Sequence, residues 1–286
     1  MRLKLYSRNL ARLVLLFSFL GLVLLNGCQN SIEPTYKEDQ IPQIVKKICK
    51  DEYSLDVTTK RVGSTLWIYA PLQKILHKEF GQSEDKIFDD DMAEKLRNIL
   101  TTVGRVLISS DNSPEFYALL ASDVNLGIDY AMIGSALDIK KSYSGFIAWP
   151  EANKRYVIQF NLEPMAIDDY KGSHLKPIDI KMPDFLALQI AQRISGFFQS
   201  EGNKNNFKVE KVEGRFNSGA FIFDYSITQT GNLENKTDIK KEILKTIAYC
   251  VKTYDFRDFF SIELTDLATK DKIILNQAAI LDKSTE

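Results

Sequence analysis

Side chains able to act as acids, bases or nucleophiles are sparse in this sequence. Among its 286 residues there are two histidines, His77 and His174. His174 follows Asp168 and Asp169 in a loop, and a carboxylate there could orient an imidazole acting as a general base. No metalloprotease, nucleophile-elbow, phosphate-loop, dinucleotide or calcium-loop pattern accompanies it. We therefore predict no catalytic residue, no metal site and no cofactor. The alternative is an anchored hydrolase that uses His174 with Asp168 or Asp169.

Two irregular stretches, residues 144–155 and 163–184, contain the side chains best suited to bind a partner. Long loops inside a compact domain often serve binding, and exposed aromatic side chains mark contact sites. The candidate binding residues in these stretches are Phe146, Trp149, Tyr170 and His174. For Trp149 the alternative is that its ring fills a gap between two packed parts of the fold.

The first 27 residues have the three parts of a secretory signal. A basic head is followed by a thirteen-residue apolar run from Leu13 to Leu25 and then by Leu25-Asn26-Gly27-Cys28. The basic residues of the head are Arg2, Lys4, Arg8 and Arg12. Thirteen residues are too few to cross, as a helix, a bilayer core of about 30 Å. The segment is therefore predicted to direct export and then to be removed.

The sequence Leu25-Asn26-Gly27-Cys28 resembles the lipobox of bacterial lipoproteins. The resemblance implies cleavage before Cys28, a diacylglycerol on its thiol, and an acyl chain such as palmitate on the new amino group. Stable anchoring needs more than one acyl chain, and this modification supplies two or three. Gln29 stands where retention in the inner membrane would favour Asp, so the resemblance favours the periplasmic face of the outer membrane. An ordinary signal peptide with a chance cysteine and a signal anchor are the alternatives.

The composition of the chain after the signal limits its partners. From Cys28 onward it has 33 basic and 38 acidic residues, a formal charge of −5. This balance argues against binding to nucleic acid, which requires a basic surface, and against a polybasic grip on anionic lipid heads. The expected partners are the membrane, through the lipid, and another envelope protein. A small-ligand or lipid carrier is a further alternative.

Two cysteines remain after the anchor. Cys49 and Cys250 each fall on the apolar stripe of a predicted helix, where a free cysteine behaves as a small hydrophobic residue. Neither has the CxxC spacing of a redox or zinc site. An oxidising compartment would permit a disulfide between them, so the sequence leaves their pairing open.

One pattern recurs along the folded part: a helix followed by two strands. The clearest helix is 92–107, whose apolar residues repeat every 3.6 positions. The strands that follow two of the helices align without a gap, with Phe116 matching Phe259 and Asp123 matching Asp266. The predicted division is a signal peptide, 1–27; an anchor and flexible tether, 28–40; a first α-β-β-α-β-β half, 41–135; an insert with one strand and long loops, 136–183; and a second half, 184–281.

The fold class that follows is α+β, with repeated α-β-β units and mostly antiparallel sheets whose helices are packed on one face. The strand at 64–72 departs from clean alternation, because Trp67 and Tyr69 make its second face apolar too. That strand is predicted to be central and covered on both faces. The alternative is that Trp67 and Tyr69 face a partner.

The α-β-β-α-β-β order of each half resembles that of BON domains, which occur in several outer-membrane lipoproteins and are associated with membrane or protein contacts. The resemblance is one of topology and spans about 200 residues. The glycine expected in the hairpin is matched by Gly63 in the first unit and Gly219 in the third. The resemblance to BON domains implies a non-enzymatic envelope lipoprotein that binds or helps assemble another envelope component.

Overall fold

The computed structural model describes residues 35–77, 88–231 and 237–282. The predicted signal peptide, Cys28 and most of the predicted tether lie outside these ranges. The described residues from Tyr36 onward belong to one compact unit. Within the described ranges, no helix is long and apolar enough to span a membrane.

Seven α-helices and nine strands are found in the described ranges. The helices are α1 (Ile41–Tyr53), α2 (Asp90–Ile108), α3 (Ala136–Tyr143), α4 (Trp149–Asn153), α5 (Met182–Phe198), α6 (Ile239–Thr253) and α7 (Gln277–Asp282). The strands are β1 (Thr58–Val62), β2 (Thr65–Leu72), β3 (Phe116–Asp123), β4 (Ile128–Ser135), β5 (Val157–Leu162), β6 (Phe207–Asn217), β7 (Ala220–Gln229), β8 (Ser261–Asp266) and β9 (Lys272–Asn276). Short 3₁₀ helices occur at Glu38–Gln40 and Pro164–Ala166.

The strands form two sheets with the same plan, and the predicted α+β class is confirmed. The first sheet has the order β1-β2-β3-β4-β5, and the second has the order β6-β7-β8-β9. A helix connects β2 to β3 in the first sheet and β7 to β8 in the second, and each of these two pairs is parallel. The hairpins on either side are antiparallel, and β5 extends the first sheet by pairing antiparallel with β4. The two sheets are therefore built from repeated α-β-β units.

A matching turn follows the same strand of both sheets. Asp123 ends β3, and its Oδ1 accepts hydrogen bonds from the backbone N–H groups of residues 125 and 126. Asp266 ends β8, and its Oδ1 accepts from those of residues 268 and 269. Aspartate favours such turns because its side chain bonds to the backbone just ahead. The aligned aspartates of the sequence thus make the same local structure.

The two faces of the first sheet belong to different cores. One face packs on α1 and α2, with Leu66 and Tyr117 in its core. On the other face, Phe116 and Ala118 join the core of the second sheet, which is centred on α5 and α6. The loop after β5 covers more of this second face, where Tyr69 is buried and Trp67 partly buried. The predicted double covering of β2 is confirmed. The neighbouring strand β3 contributes side chains to both cores, so it is buried along its whole length.

Three local features differ from, or add to, the sequence prediction. Residues 36–40 are bound to the fold rather than part of a free tether: the backbone of Tyr36 bonds to that of residues 109 and 111, and Glu38 pairs with Arg61 at 2.7 Å. Helix α3 in the insert was not predicted. Cys49 and Cys250 are free and buried in separate cores, so they make no disulfide.

Candidate functional site

The segment between α3 and α4 exposes aromatic side chains. We call residues 143–149 the aromatic segment; its rings are Tyr143, Phe146 and Trp149. Phe146 is 83% exposed and Trp149 is 51% exposed. The Trp149 ring meets that of Tyr143 edge to face, with centroids 5.6 Å apart. Trp149 is thus half open to solvent and does not fill a gap in the core.

The backbone of the aromatic segment is held by its own helix. Ser135 caps α3 by accepting a hydrogen bond from the Leu137 N–H. At the other end, the N–H groups of Phe146 and Ile147 both donate to the Lys141 carbonyl. Phe146 therefore projects from a fixed turn, and its exposure is built into the fold.

The loop after β5 places His174 in a buried polar cluster on the second face of the first sheet. Its Nδ1 lies 2.6 Å from Asp169 Oδ2, and its Nε2 lies 3.3 Å from Asp129 Oδ2. Ser122 donates to the other oxygen of Asp129 at 2.5 Å, and Tyr69 donates to the Asp169 carbonyl. The His174 side chain is only 3% exposed.

The electrostatics of this cluster favour an ionised Asp169. Burial raises the pKa of Asp169, but hydrogen bonds from the His174 ring and from the backbone N–H groups of His174 and Lys171 outweigh it and leave the pKa well below its usual value. Burial raises the pKa of Tyr69 to about 12. The loop thus covers an ionised Asp169 carboxylate, whose negative charge is compensated by hydrogen bonds.

The His174 cluster does not have the geometry of a nucleophile and its base. A catalytic serine must donate to the histidine, but Ser122 donates to Asp129, and both nitrogens of His174 face carboxylates. Of the predicted partners, Asp169 contacts the His174 ring. Asp168 is exposed, and its side chain makes no hydrogen bond or ion pair with His174 in the described part of the chain. The geometry of the His174 cluster fits a structural role, in which the cluster attaches the 163–181 loop to the first sheet.

The four candidate binding residues do not form one site. Tyr170 is 52% exposed on the loop surface, close in sequence to the buried His174. His174 contacts Asp129 near the start of β4, while the aromatic segment follows the helix that begins after Ser135 at its end. Asp129 and Ser135 are six residues apart in β4, a distance of about 20 Å along the strand. Only Phe146 and Trp149 are both exposed and near one another in the chain.

A second polar cluster joins the insert to the second half of the chain. Glu151 Oε1 accepts from Arg193 at 2.6 Å, from the Tyr249 hydroxyl at 2.8 Å and from Arg155 at 3.0 Å. Arg155 also pairs with the buried Asp138 at 2.8 Å. Burial raises the pKa of Glu151, but these donors lower it below its usual value. Sequence reasoning missed this cluster, because its members are far apart in the chain; Glu151 and Tyr249, for example, are separated by 98 positions.

A cleft of about 820 Å³ opens beside this second cluster. Its walls are the end of α4, the outer side of α5 and one side of α6; we call it the α5 cleft. The lining includes the ring-bearing residues Phe197 and Tyr249 and the basic residues Lys154, Arg193 and Lys245. A shallower groove of about 420 Å³ shares Gln192 and Ser195 with it and continues toward β5 and β6. Sequence reasoning did not indicate this cleft, because its lining comes from the end of α4 and from two later helices.

Comparison with known proteins gives no assignment. No protein-family model matches the chain, and no match is found among curated proteins or among solved structures. Within the described residues, no group of three or more histidine, cysteine or acidic side chains could hold a metal ion.

Proposed function

We propose that this chain is a lipoprotein of the bacterial cell envelope, anchored through Cys28, whose folded part binds another envelope protein without acting as an enzyme. The membrane expected is the outer one, on its periplasmic face. The observation that carries the binding role is the exposure of Phe146 and Trp149 on a turn fixed by hydrogen bonds. Aromatic rings are enriched at the centres of protein interfaces because they bury a large apolar area with few rotatable bonds.

The polar clusters support binding over catalysis. His174 faces two carboxylates, and Glu151 accepts from three donors, so each cluster is satisfied largely within the fold. A catalytic group instead needs access to substrate and a pKa suited to proton transfer. These clusters are well suited to attach the loop to the first sheet and the insert to the second half of the chain.

The anchor is tested by the variant Cys28→Ser. We expect it to lose the mass of the acyl chains and to accumulate as uncleaved or soluble protein, because the thiol is the acceptor of the diacylglycerol. Detergent fractionation and intact mass spectrometry measure both. The same mass and the same extraction behaviour as the wild type would refute the lipidated anchor.

The binding surface is tested by crosslinking in cells. A photoreactive amino acid replaces Phe146 in the anchored protein, and a matched control replaces Phe260, which is also exposed but lies beside the β6–β7 turn. We expect one protein partner to be captured from position 146 and not from position 260. Trp149→Ala should reduce that yield. Equal capture from both positions, or capture of lipid alone, would contradict the proposal.

A further inference from the structure

The α5 cleft has a rigid polar wall. Tyr249 and Arg193 are both fixed to Glu151 Oε1, and the Arg193 guanidinium lies over the Tyr249 ring, 5.1 Å from its centroid. Because Glu151 also binds Arg155, this wall is continuous with the buried cluster behind it. A ligand entering the cleft would therefore meet groups that are already oriented, which lowers the entropic cost of binding.

Positive charge dominates the cleft lining. Lys154, Arg193 and Lys245 line it, and no acidic residue does. Arg193 and Lys245 pair with Glu151 and Glu242, neither of which lines the cleft. Lys154 makes no ion pair within the described part of the chain, and the buried Nε of Arg193 has no hydrogen-bond partner there. This concentration of cations stands out because the chain from Cys28 onward has a formal charge of −5, and it favours an anionic ligand.

The rest of the lining offers flat apolar faces and neutral hydrogen-bonding groups. The rings of Phe197 and Tyr249 are 40% and 45% exposed. The amides and hydroxyls around them belong to Asn153, Gln192, Gln199, Ser195, Ser200 and Thr246. All but Asn153 already make one hydrogen bond within the fold, and each keeps a further donor or acceptor. Sugar rings have an apolar face that packs on aromatic rings and a rim of hydroxyls that bond to amides and hydroxyls. The cleft therefore has groups for both parts of a sugar.

An added peptide strand fits this region less well. The neighbouring groove runs along the free edge of β5, where a peptide would bond to the backbone. However, the Ile158 N–H on that edge already donates to Gln192 Oε1 at 2.9 Å. No strand edge lines the larger cleft itself. The recognition groups there are side chains, as expected for a saccharide.

We infer that the α5 cleft binds a carboxylated glycan chain, with its sugars on Phe197 and Tyr249 and its carboxylates near Lys154, Lys245 and Arg193. The adjoining groove gives room for an extended chain rather than for a single sugar. The choice of glycan rests on the proposed envelope location, where a peptidoglycan strand from which the stem peptides have been removed carries a free lactyl carboxylate on alternate sugars. The aromatic segment and the cleft lie at the two ends of α4, so protein and glycan could be held at once.

The test is calorimetric titration of the full-length protein in detergent with two glycans of equal length. The first is a peptide-free peptidoglycan strand, and the second is a chitin oligosaccharide, which has the same backbone sugar without the carboxylates. We expect the carboxylated strand to bind at least about tenfold more tightly than the chitin oligosaccharide. A ratio of this size corresponds to the binding free energy of two ordinary exposed ion pairs. Equal affinity, or no binding of either glycan, would overturn the inference. Preferential binding of inorganic phosphate would overturn it as well.

A matched pair of glycine variants locates the site. A side chain added at Gly196 or at Gly202 meets open space, but only Gly196 lines the cleft. Gly196→Trp should fill the cleft and abolish glycan binding, and Gly202→Trp should leave it unchanged, with neither variant melting below the wild type. Lys154→Glu combined with Lys245→Glu should weaken binding without filling the cleft. Undiminished binding by Gly196→Trp would place the glycan elsewhere.

These results can be separated from the test of the proposed function. Gly196→Trp should leave crosslinking from position 146 unchanged, because the aromatic segment contributes no residue to the cleft lining. A captured protein partner together with absent glycan binding would overturn the glycan inference alone. Glycan binding without a captured partner would leave the inference standing and contradict the role proposed for Phe146.

Discussion

His174 shows how burial can turn a candidate catalytic residue into a structural one. The imidazole is enclosed, and both its nitrogens are held between the carboxylates of Asp129 and Asp169. Buried charged groups are tolerated when they are paired and hydrogen-bonded. Removing one partner leaves the other buried without compensation, and this destabilises the folded state. The cluster should therefore affect stability more than any activity.

The variant Asp169→Asn tests this role. In the wild type, the Asp169 carboxylate accepts hydrogen bonds from the backbone N–H groups of Lys171 and His174 and pairs with the His174 ring. Losing charged hydrogen bonds of this kind should cost about 2 kcal/mol of the free energy of unfolding at pH 7. Urea denaturation followed by tryptophan fluorescence measures it. Asp168→Asn, at the exposed neighbour in the same loop, is the control and should match the wild type.

The difference between Asp169→Asn and the wild type should depend on pH. The folded state lowers the pKa of Asp169 below its value in the unfolded chain, which is about 3.9. The ionised carboxylate therefore contributes fully to the free energy of unfolding above about pH 3.9. This contribution is lost as the pH falls from there toward the pKa of the folded state. The gap in unfolding free energy should therefore be smaller at pH 3 than at pH 7. A gap that is constant over this range would mean that the ionised form is not what stabilises the loop.

Sequence reasoning found part of this residue-scale arrangement. His174 and Asp169 were recognisable because they share a short loop. Asp129 and Ser122 were not, because each lies on a strand where a polar residue usually marks the solvent face. The loop that covers that face begins only after β5. The same limit applies to Glu151, whose partners Arg193 and Tyr249 come from two later helices.

At the scale of elements, α5 and β6 approach one another unusually closely. Gly214 of β6 faces the backbone of α5, and a Cβ placed there would overlap the Ala187 carbonyl oxygen and contact the Phe223 ring. Backbone on a packed helix cannot move aside as the tip of a side chain can. This contact fixes the distance between the second sheet and the helix that separates it from the first.

The variant Gly214→Ala should therefore destabilise the fold by about 2–3 kcal/mol, as overpacking of a tight core does. Gly196→Ala is the matched control, because its added methyl group meets open space in the same helix. Removing a helical glycine there should stabilise the protein by about 0.5–1 kcal/mol. Thermal unfolding of both variants measures the difference. Equal melting temperatures would mean that β6 and α5 do not pack as closely as described.

The sequence predicts the elements themselves better than their environment. The α-β-β units followed from the 3.6-residue periodicity of helices such as α2 and the two-residue alternation of strands such as β7. Helix α3 was missed because its eight residues include two lysines and one aspartate, and Asp138 turns inward to pair with Arg155. The long loop was identified as irregular, but a periodicity argument cannot place an irregular segment on a particular sheet face.

At the scale of the whole molecule, the two sheets are joined through a shared core. Phe116, Ala118 and Val157 of the first sheet lie in the same apolar cluster as α5, α6 and the second sheet. Residues of the first half thus depend on the second half for burial. Two similar halves could in principle unfold one after the other, but a shared core favours one cooperative transition.

The two buried cysteines can test this cooperativity. Cys49 lies in the core between the first sheet and α1–α2, and Cys250 lies in the shared core. Burial raises the pKa of both thiols, to about 12 for Cys250, so neither is expected to react in the folded state. Pulsed alkylation across a urea series, with peptide mapping to measure the labelling of Cys49 and Cys250 separately, should give one midpoint for both. Labelling of Cys49 at a lower urea concentration than Cys250 would show that the first half unfolds independently.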